Sequence, residues 1–246
     1  MRFLIFALFL AFAAPAAGQV TATPNLTLRT APDAVDVAAL FEQHYGRTLK
    51  LLEAEFPADY ATLRAELAEI DKRVGEERLL LLAAFDRLAD VRRKYADKLQ
   101  FAPSLNHSVM LGRIADFHDL VFAGEGPQVC ARFAHDGSGV LFELGLSRRY
   151  ANALDLQSVA FFEAVVQAIE APDYAEPVTT EDWTAVLGAM VAAGAPPDYV
   201  RTVTTGDRND PKLCPALATM FRISGLLDSP QGARTRADFA KNLAGY

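Results

Sequence analysis

Apolar side chains recur at alternating steps of three and four residues along one long stretch of this chain. The members are Tyr60, Leu63, Leu67, Ile70, Val74, Leu81, Ala84, Leu88, Val91 and Tyr95. This spacing places its members on one face of an α-helix. The phase is kept across Gly75, and only Glu77 interrupts it, so the pattern predicts one continuous helix. At about 1.5 Å per residue, that helix would be roughly 60 Å long.

A second apolar repeat lies just before the first and predicts a partner helix. Its members are Val37, Phe41, Tyr45, Leu49, Leu52 and Phe56. Pro57 is expected to end or sharply turn this helix. Because a long apolar seam must be covered, we expect the two helices to pack as a hairpin. Together with a third helix at 104–124 they form a predicted helical hairpin region, 33–124. An intermolecular coiled coil is the alternative.

Helical patterns also dominate the region from 125 to 246. The glycine-rich letters "GEGP" at 124–127 mark the best internal boundary, whereas "GVLFELG" fits either a short strand or a buried helical turn. Thr179 and Asp182 are spaced like a capping box, and Asp210 with Pro211 is expected to start a later helix. We therefore predict an all-α fold: a long N-terminal hairpin and a compact helical C-terminal half, with one continuous domain as the alternative.

The first residues have the order typical of a secretory signal peptide. Arg2 precedes an apolar run, and small residues follow as far as Gly18. Residues 1–18 are therefore predicted to be removed, with cleavage after Ala16 or a retained anchor as alternatives, and 19–32 to form a flexible arm. We expect a secreted or periplasmic protein without stable membrane insertion after cleavage.

The charge of the chain disfavours nucleic acid as a partner. There are 31 acidic and 24 basic residues, and loss of Arg2 with the signal peptide would leave a formal charge of −8. Such a chain repels phosphate backbones. The acidic segment, residues 150–200, contains eight acidic residues and no Lys, Arg or His, so it accounts for the whole of that charge.

Six members of the acidic segment form the candidate contact surface. They are Glu163, Glu170, Asp173, Glu176, Glu181 and Asp182. One hypothesis is a surface for a basic protein partner, and another is a loosely held Ca²⁺ ion. A third is a pair of carboxylates for polymer hydrolysis, because Glu163 and Asp182 lie in mostly apolar stretches. A solvated surface without a specific role is the simplest interpretation.

Cys130 and Cys214 are the only two cysteines. In an exported protein such a pair tends to be oxidised, so the sequence predicts a Cys130–Cys214 disulfide with Cα atoms within about 7 Å. The alternative is a thiol enzyme, either with His135 as the base for Cys130 or with Cys214 activated at a helix start.

The histidines do not predict a metal site. No two of the four have the i, i+4 spacing of a shared ligand pair, although His118 between Asp116 and Asp119 forms a possible half-site. The sequence predicts no cofactor. It favours an exported, soluble, non-catalytic interaction or binding protein of the cell envelope or exterior. The alternatives are a carboxylate-dependent hydrolase acting on envelope polymers and a thiol-dependent enzyme.

Overall fold

The computed structural model describes residues 36–73, 75–173 and 176–244. The predicted signal peptide at 1–18 and arm at 19–32 lie outside these residues. The described residues form helices without strands, which confirms the all-α prediction. The helices are α1 (Val37–Glu55), α2 (Pro57–Asp71), α3 (Glu77–Lys94), α4 (Ala96–Leu99), α5 (Ser104–Asp136), α6 (Gly139–Glu143), α7 (Ala151–Glu170), α8 (Thr180–Ala192), α9 (Pro197–Thr205), α10 (Leu213–Leu226) and α11 (Pro230–Asn242).

The prediction of one continuous helix through Gly75 is wrong. The chain leaves the helix after Asp71 and begins α3 at Glu77, after Glu76 in an extended conformation. Glycine is a weak helix former, and the turn lets α2 and α3 pack on each other and on α1. The apolar phase survives because both helices face the same core. Three shorter helices therefore stand where the sequence predicted one long hairpin.

The start of α1 is fixed to this turn by a hydrogen bond. The backbone N–H of Val37 donates to Oδ1 of Asp71 over 2.8 Å. The Asp36 side chain caps the same helix by accepting from the N–H of Ala39. Both contacts place carboxylate charge at a helix N-terminus, where the helix dipole favours it.

The glycine-rich residues 124–127 form a kink within a helix instead of ending it. Gly126 has a positive φ of 78°, which glycine adopts without steric cost, and Pro127 follows it inside the same helix. The third helix thus continues to Asp136 instead of ending near residue 124. Helix α5 packs against α7, α10 and α11 and is central to the fold. The ambiguous stretch after it forms a helical turn, α6.

The predicted disulfide between α5 and α10 is confirmed. The Cα atoms of Cys130 and Cys214 are 5.6 Å apart, and both side chains are fully buried. The bond closes a loop of 84 residues. In the chain-entropy account, a loop of that size stabilises the fold by roughly 4 kcal/mol.

Helix α1 is interrupted near its middle, and α7 completes it. Tyr45 has non-helical dihedral angles of −132° and 28°. The carboxylate of Asp155 on α7 accepts the N–H of Arg47 at 3.2 Å and the N–H of Thr48 at 2.9 Å. It also accepts the Thr48 hydroxyl at 2.7 Å. Asp155 therefore acts as an N-cap supplied by another helix, and it is buried instead of lying on an acidic surface.

The sequence predicted the start of α8 correctly and the start of α10 less accurately. Thr179 caps α8 and forms the predicted capping box with Asp182. Helix α10 begins at Leu213, later than expected. Asp210 accepts the N–H of Lys212 and the hydroxyl of Thr202, so it ties the turn before α10 to α9.

Within the described residues, no helix has the length and apolar character needed to cross a bilayer.

Candidate functional site

The six acidic candidates divide into five exposed residues and one buried residue. Glu163, Glu170, Asp173, Glu176 and Glu181 are exposed to solvent. Asp182 has no exposed surface, so placing it on the acidic surface was wrong. Its carboxylate is held inside by the α8 capping box and by a guanidinium from α11.

That guanidinium belongs to Arg234 and joins two carboxylates of the acidic segment. Its Nε and Nη2 donate to the two oxygens of Asp182 at 2.9 and 2.7 Å, and its Nη1 donates to Glu176 at 3.0 Å. The hydrogen bonds from Arg234 lower the pKa of Asp182 to about 2. Asp182 is therefore ionised at neutral pH and cannot serve as the proton donor that a hydrolase requires.

The α5–α11 pocket lies beside this pair and has a volume of about 330 Å³. It opens between the connection from α4 to α5, the segment after α7, and one face of α11. The lining residues are Gln100, Ala102, Ser104, His107, Asp173, Glu176, Pro230, Ala233, Arg234 and Ala237. The volume falls at the lower end of the range for small-molecule sites, about 300 to 1,000 Å³.

Local sequence explains how each wall of the pocket is held in place. Pro230 occupies the first turn of α11, and Ser229 caps it by accepting the N–H of Gly232 at 3.1 Å. The helical repeat then aligns the four lining positions of α11 on one face. On the opposite wall, the N–H of Asp173 donates to the carbonyl of Phe101 at 2.7 Å. This bond brings the end of the α7 segment against the start of α5.

His107 is the most deeply buried polar residue of the pocket, with 2% of its surface exposed. Its Nε2 lies 2.6 Å from the Leu99 carbonyl oxygen. A carbonyl can only accept, so Nε2 donates and the neutral ring carries its lone pair on Nδ1. Burial lowers the pKa of His107, against the effect of the Leu99 hydrogen bond. The ring is therefore uncharged at neutral pH.

Arg236 supports the pocket from behind, with only 6% of its surface exposed. Its Nε and Nη2 both donate to the Ser104 hydroxyl oxygen, at 3.1 and 2.5 Å. Its Nη1 donates to the carbonyls of Ser224 and Leu227 at 3.0 and 2.8 Å. The guanidinium thus joins the start of α5 to the turn between α10 and α11.

A serine, a histidine and an aspartate line this pocket, but they do not form a catalytic triad. In a triad, the imidazole accepts from the serine and donates to the aspartate. Here the His107 N–H is directed to Leu99, and the Ser104 hydroxyl is held by Arg236. Among the described hydrogen bonds, none joins Ser104 to His107 or His107 to Asp173.

The geometry also contradicts two further hypotheses, the thiol enzyme and the His118 half-site. Both cysteines are bonded to each other, which contradicts the thiol-enzyme alternative. His118 is fully buried, and its Nδ1 bonds to the Ile114 carbonyl. Asp116 and Asp119 instead hold Arg222 at 3.0 and 2.8 Å, so the half-site does not assemble. In the part of the chain that the structure describes, no three His, Cys, Asp or Glu side chains are grouped as a metal site requires.

Comparison of the chain with family models, with curated proteins and with solved structures found no match. Of the lining residues, the sequence predicts Asp173 and Glu176 as candidates but does not point to His107, Arg234 or the others. The missed residues come from two separate parts of the chain, 100–107 and 230–237, and no local spacing connects these parts with each other or with Asp173 and Glu176.

Proposed function

We propose that this chain is an exported, non-catalytic binding protein that contacts a basic partner through exposed carboxylates. One observation carries the proposal. Among the described residues, Glu163, Glu170, Asp173 and Glu181 are exposed and form no ion pair, whereas Asp155, Asp182 and Asp198 are paired with Arg47, Arg234 and Lys212. The negative charge that remains available is therefore on the surface, where it can attract a basic partner.

Two features support export to an oxidising compartment. The order of charged, apolar and small residues at the start of the chain is typical of a signal peptide. The Cys130–Cys214 bond is of the kind that persists outside the reducing cytosol. Sequencing of the mature N-terminus tests this part of the proposal: the protein is expected to begin at Gln19 or Ala17, and an intact Met1 would contradict export.

If the exposed carboxylates bind the partner, removing their charge should weaken binding more than removing charge elsewhere on the protein. Glu163→Gln, Glu170→Gln and Glu181→Gln combined should weaken binding of a lysine-rich peptide about fivefold. Three exposed charges at about 0.3 kcal/mol each account for a change of this size. The effect should diminish with added salt, because the screening length is about 8 Å at physiological ionic strength. Isothermal titration calorimetry measures both.

A matched control separates a defined surface from general negative charge. Glu42, Glu53 and Glu55 are exposed on α1, so changing all three to Gln removes the same net charge elsewhere. Binding should then weaken by less than the first triple variant shows. Equal weakening by both sets would contradict the proposed surface. Loss of envelope-polymer cleavage in a single folded Gln variant would instead establish the hydrolase.

A further inference from the structure

The basic groups around the α5–α11 pocket are already committed to partners within the chain. All three guanidinium nitrogens of Arg234 are bound to Asp182 and Glu176. All three of Arg236 are bound to Ser104 and to two backbone carbonyls. These bonds use three of the five N–H donors of Arg234 and four of the five of Arg236, and Asp182 and Glu176 offset the charge of Arg234.

Several groups in the lining remain available as hydrogen-bond acceptors, beside two remaining donors, the Ser104 hydroxyl and the second amide N–H of Gln100. Asp173 forms no ion pair among the described residues, and Glu176 uses one of its oxygens for Arg234. Gln100 donates its amide N–H to the Asp97 carbonyl, which leaves its Oε1 as an acceptor. His107 is almost completely buried, and its Nδ1 forms no described hydrogen bond. An acceptor of this kind in the pocket lining favours a ligand that donates.

The charge and the shape of the pocket also favour a ligand that donates hydrogen bonds. The lining contains two carboxylates, Asp173 and Glu176, and one cation, Arg234, so it carries a net negative charge. Small apolar surfaces complete the walls, from Ala102, Pro230, Ala233 and Ala237. A pocket of this size accommodates a short alkyl chain with a charged end, but not a folded segment.

We propose that the α5–α11 pocket binds a small organic cation, an alkylammonium or guanidinium group. The group donates to Asp173 and Glu176, and its alkyl part lies against the alanines of α11. It comes either from a lysine or arginine side chain of the basic partner or from a free polyamine. This inference deepens the proposed function. It rests on that function only if the cation is a side chain of the basic partner.

The direct test is calorimetric titration of the whole protein with four probes. These are N-acetyl-arginine methylamide, N-acetyl-lysine methylamide, spermidine and the uncharged N-acetyl-citrulline methylamide. The cations should bind saturably, and the citrulline compound about tenfold or more weaker than the arginine compound, since it lacks the charge that Asp173 recognises. Tighter binding of spermidine indicates a free polyamine, and tighter binding of the arginine compound indicates a side chain. Failure of all three cations to bind, or equal binding of citrulline, would overturn the proposal.

Two variants locate the binding in this pocket. Asp173→Asn should weaken cation binding about tenfold, whereas Glu163→Gln, which removes the same charge from an exposed position on α7 outside the lining, should change it less than about twofold. Ala233→Leu should block the pocket without altering charge, with folding checked by circular dichroism. Equal effects of Asp173→Asn and Glu163→Gln would show that binding is non-specific and reject the site.

The outcomes also separate this inference from the proposed function. If the small cations fail while the lysine-rich peptide still responds to the Glu163, Glu170 and Glu181 changes, the pocket is rejected and the surface stands. If the cations bind in an Asp173-dependent manner while the peptide does not bind, the pocket stands and the surface is rejected.

Discussion

At the scale of single residues, Asp182 performs two tasks through one carboxylate. It completes the α8 capping box through Thr179, and it anchors Arg234 of α11. The sequence predicted the first task, since a capping box is a spacing of three residues. It could not predict the second, because the guanidinium partner is 52 residues away and no local pattern reports a contact over that distance.

Removing Arg234 should therefore expose how much this pair stabilises the fold. Arg234→Met is expected to lower the free energy of unfolding at pH 7 by clearly more than the loss of an exposed ion pair does, because it leaves a buried carboxylate without its cation. The folded-state pKa of Asp182 is lowered, so the contribution is complete above pH 3.8 and is lost as pH falls from there to about 2. Urea unfolding at several pH values measures both.

The control for this variant is Arg208→Met, because Arg208 forms an exposed ion pair with Asp136. Exposed pairs contribute about 0 to 1 kcal/mol, so this change should have a small effect. A loss for Arg234→Met no larger than that of the control would show that the Asp182 pair does not stabilise the fold.

His118 gives the protein a second response to acid, at a higher pH. Burial lowers its pKa from 6.5 to about 4, and its ring packs against Phe133 and Phe221. Between pH 6.5 and about 4, His118 binds a proton in the unfolded chain but not in the folded chain. Its contribution to the free energy of unfolding is therefore complete above pH 6.5 and is lost as the pH falls to about 4. The expected loss is roughly 3 kcal/mol.

This prediction is checked by unfolding measurements across that window and by nuclear magnetic resonance of the imidazole signals. One signal should titrate well below the usual range and disappear in His118→Phe, whose unfolding free energy should depend less steeply on pH. An imidazole signal of His118 that titrates near pH 6.5 would contradict the assignment.

At the scale of helices, apolar periodicity predicted where helices exist and missed how they end. It cannot detect the turn before α3, because Leu67 and Leu81 face one core whether or not the chain turns between them. It also could not anticipate the kink at Gly126, where the helix continues in a new direction. Caps and breaks depend on single residues, whereas periodicity averages over many.

The turn from α10 into α11 depends on a glycine for steric reasons. A Cβ on Gly232 would lie 2.0 Å from the Leu227 carbonyl oxygen, and that oxygen also accepts from Arg236. Gly232→Ala is therefore expected to destabilise the fold by about 1 to 3 kcal/mol, as an overpacked site does. Thermal or urea unfolding provides the measurement.

Gly188 is the matched control, since it lies inside α8 and a Cβ added there would meet no atom within 4 Å. Gly188→Ala should stabilise the protein by about 0.5 to 1 kcal/mol, through helix propensity alone. If both alanine variants were stabilising, the close approach at Leu227 would not exist in solution.

At the scale of the whole molecule, one hydrophobic core extends from Val37 to Ala244. The division into regions 33–124 and 125–246 stays a prediction, although α5 runs through it and side chains from both regions share the core. The disulfide was predictable because the sequence offers only one pair. The α5–α11 pocket was not, because it exists only once distant segments pack together.

Cross-linking α5 to α10 should contribute to the stability of the entire fold. Thiol titration in denaturant without reductant is expected to detect essentially no free thiol. Cys130→Ala with Cys214→Ala should lower the unfolding free energy by about 4 kcal/mol, and reduction of the native protein should lower it by a similar amount with the side chains retained. Two titratable thiols, or equal stability before and after reduction, would contradict this role.

Because Asp155 provides the cap for α1, this helix cannot be completed at the moment it is synthesised. The amides of Arg47 and Thr48 leave the ribosome 108 and 107 residues before their acceptor. Because chains emerge from the N-terminus onwards, α1 is the first of the described helices to emerge and waits for α7 before its second half is capped. A nascent chain stalled before Ala151 should therefore hold an incomplete α1, which later chain growth repairs.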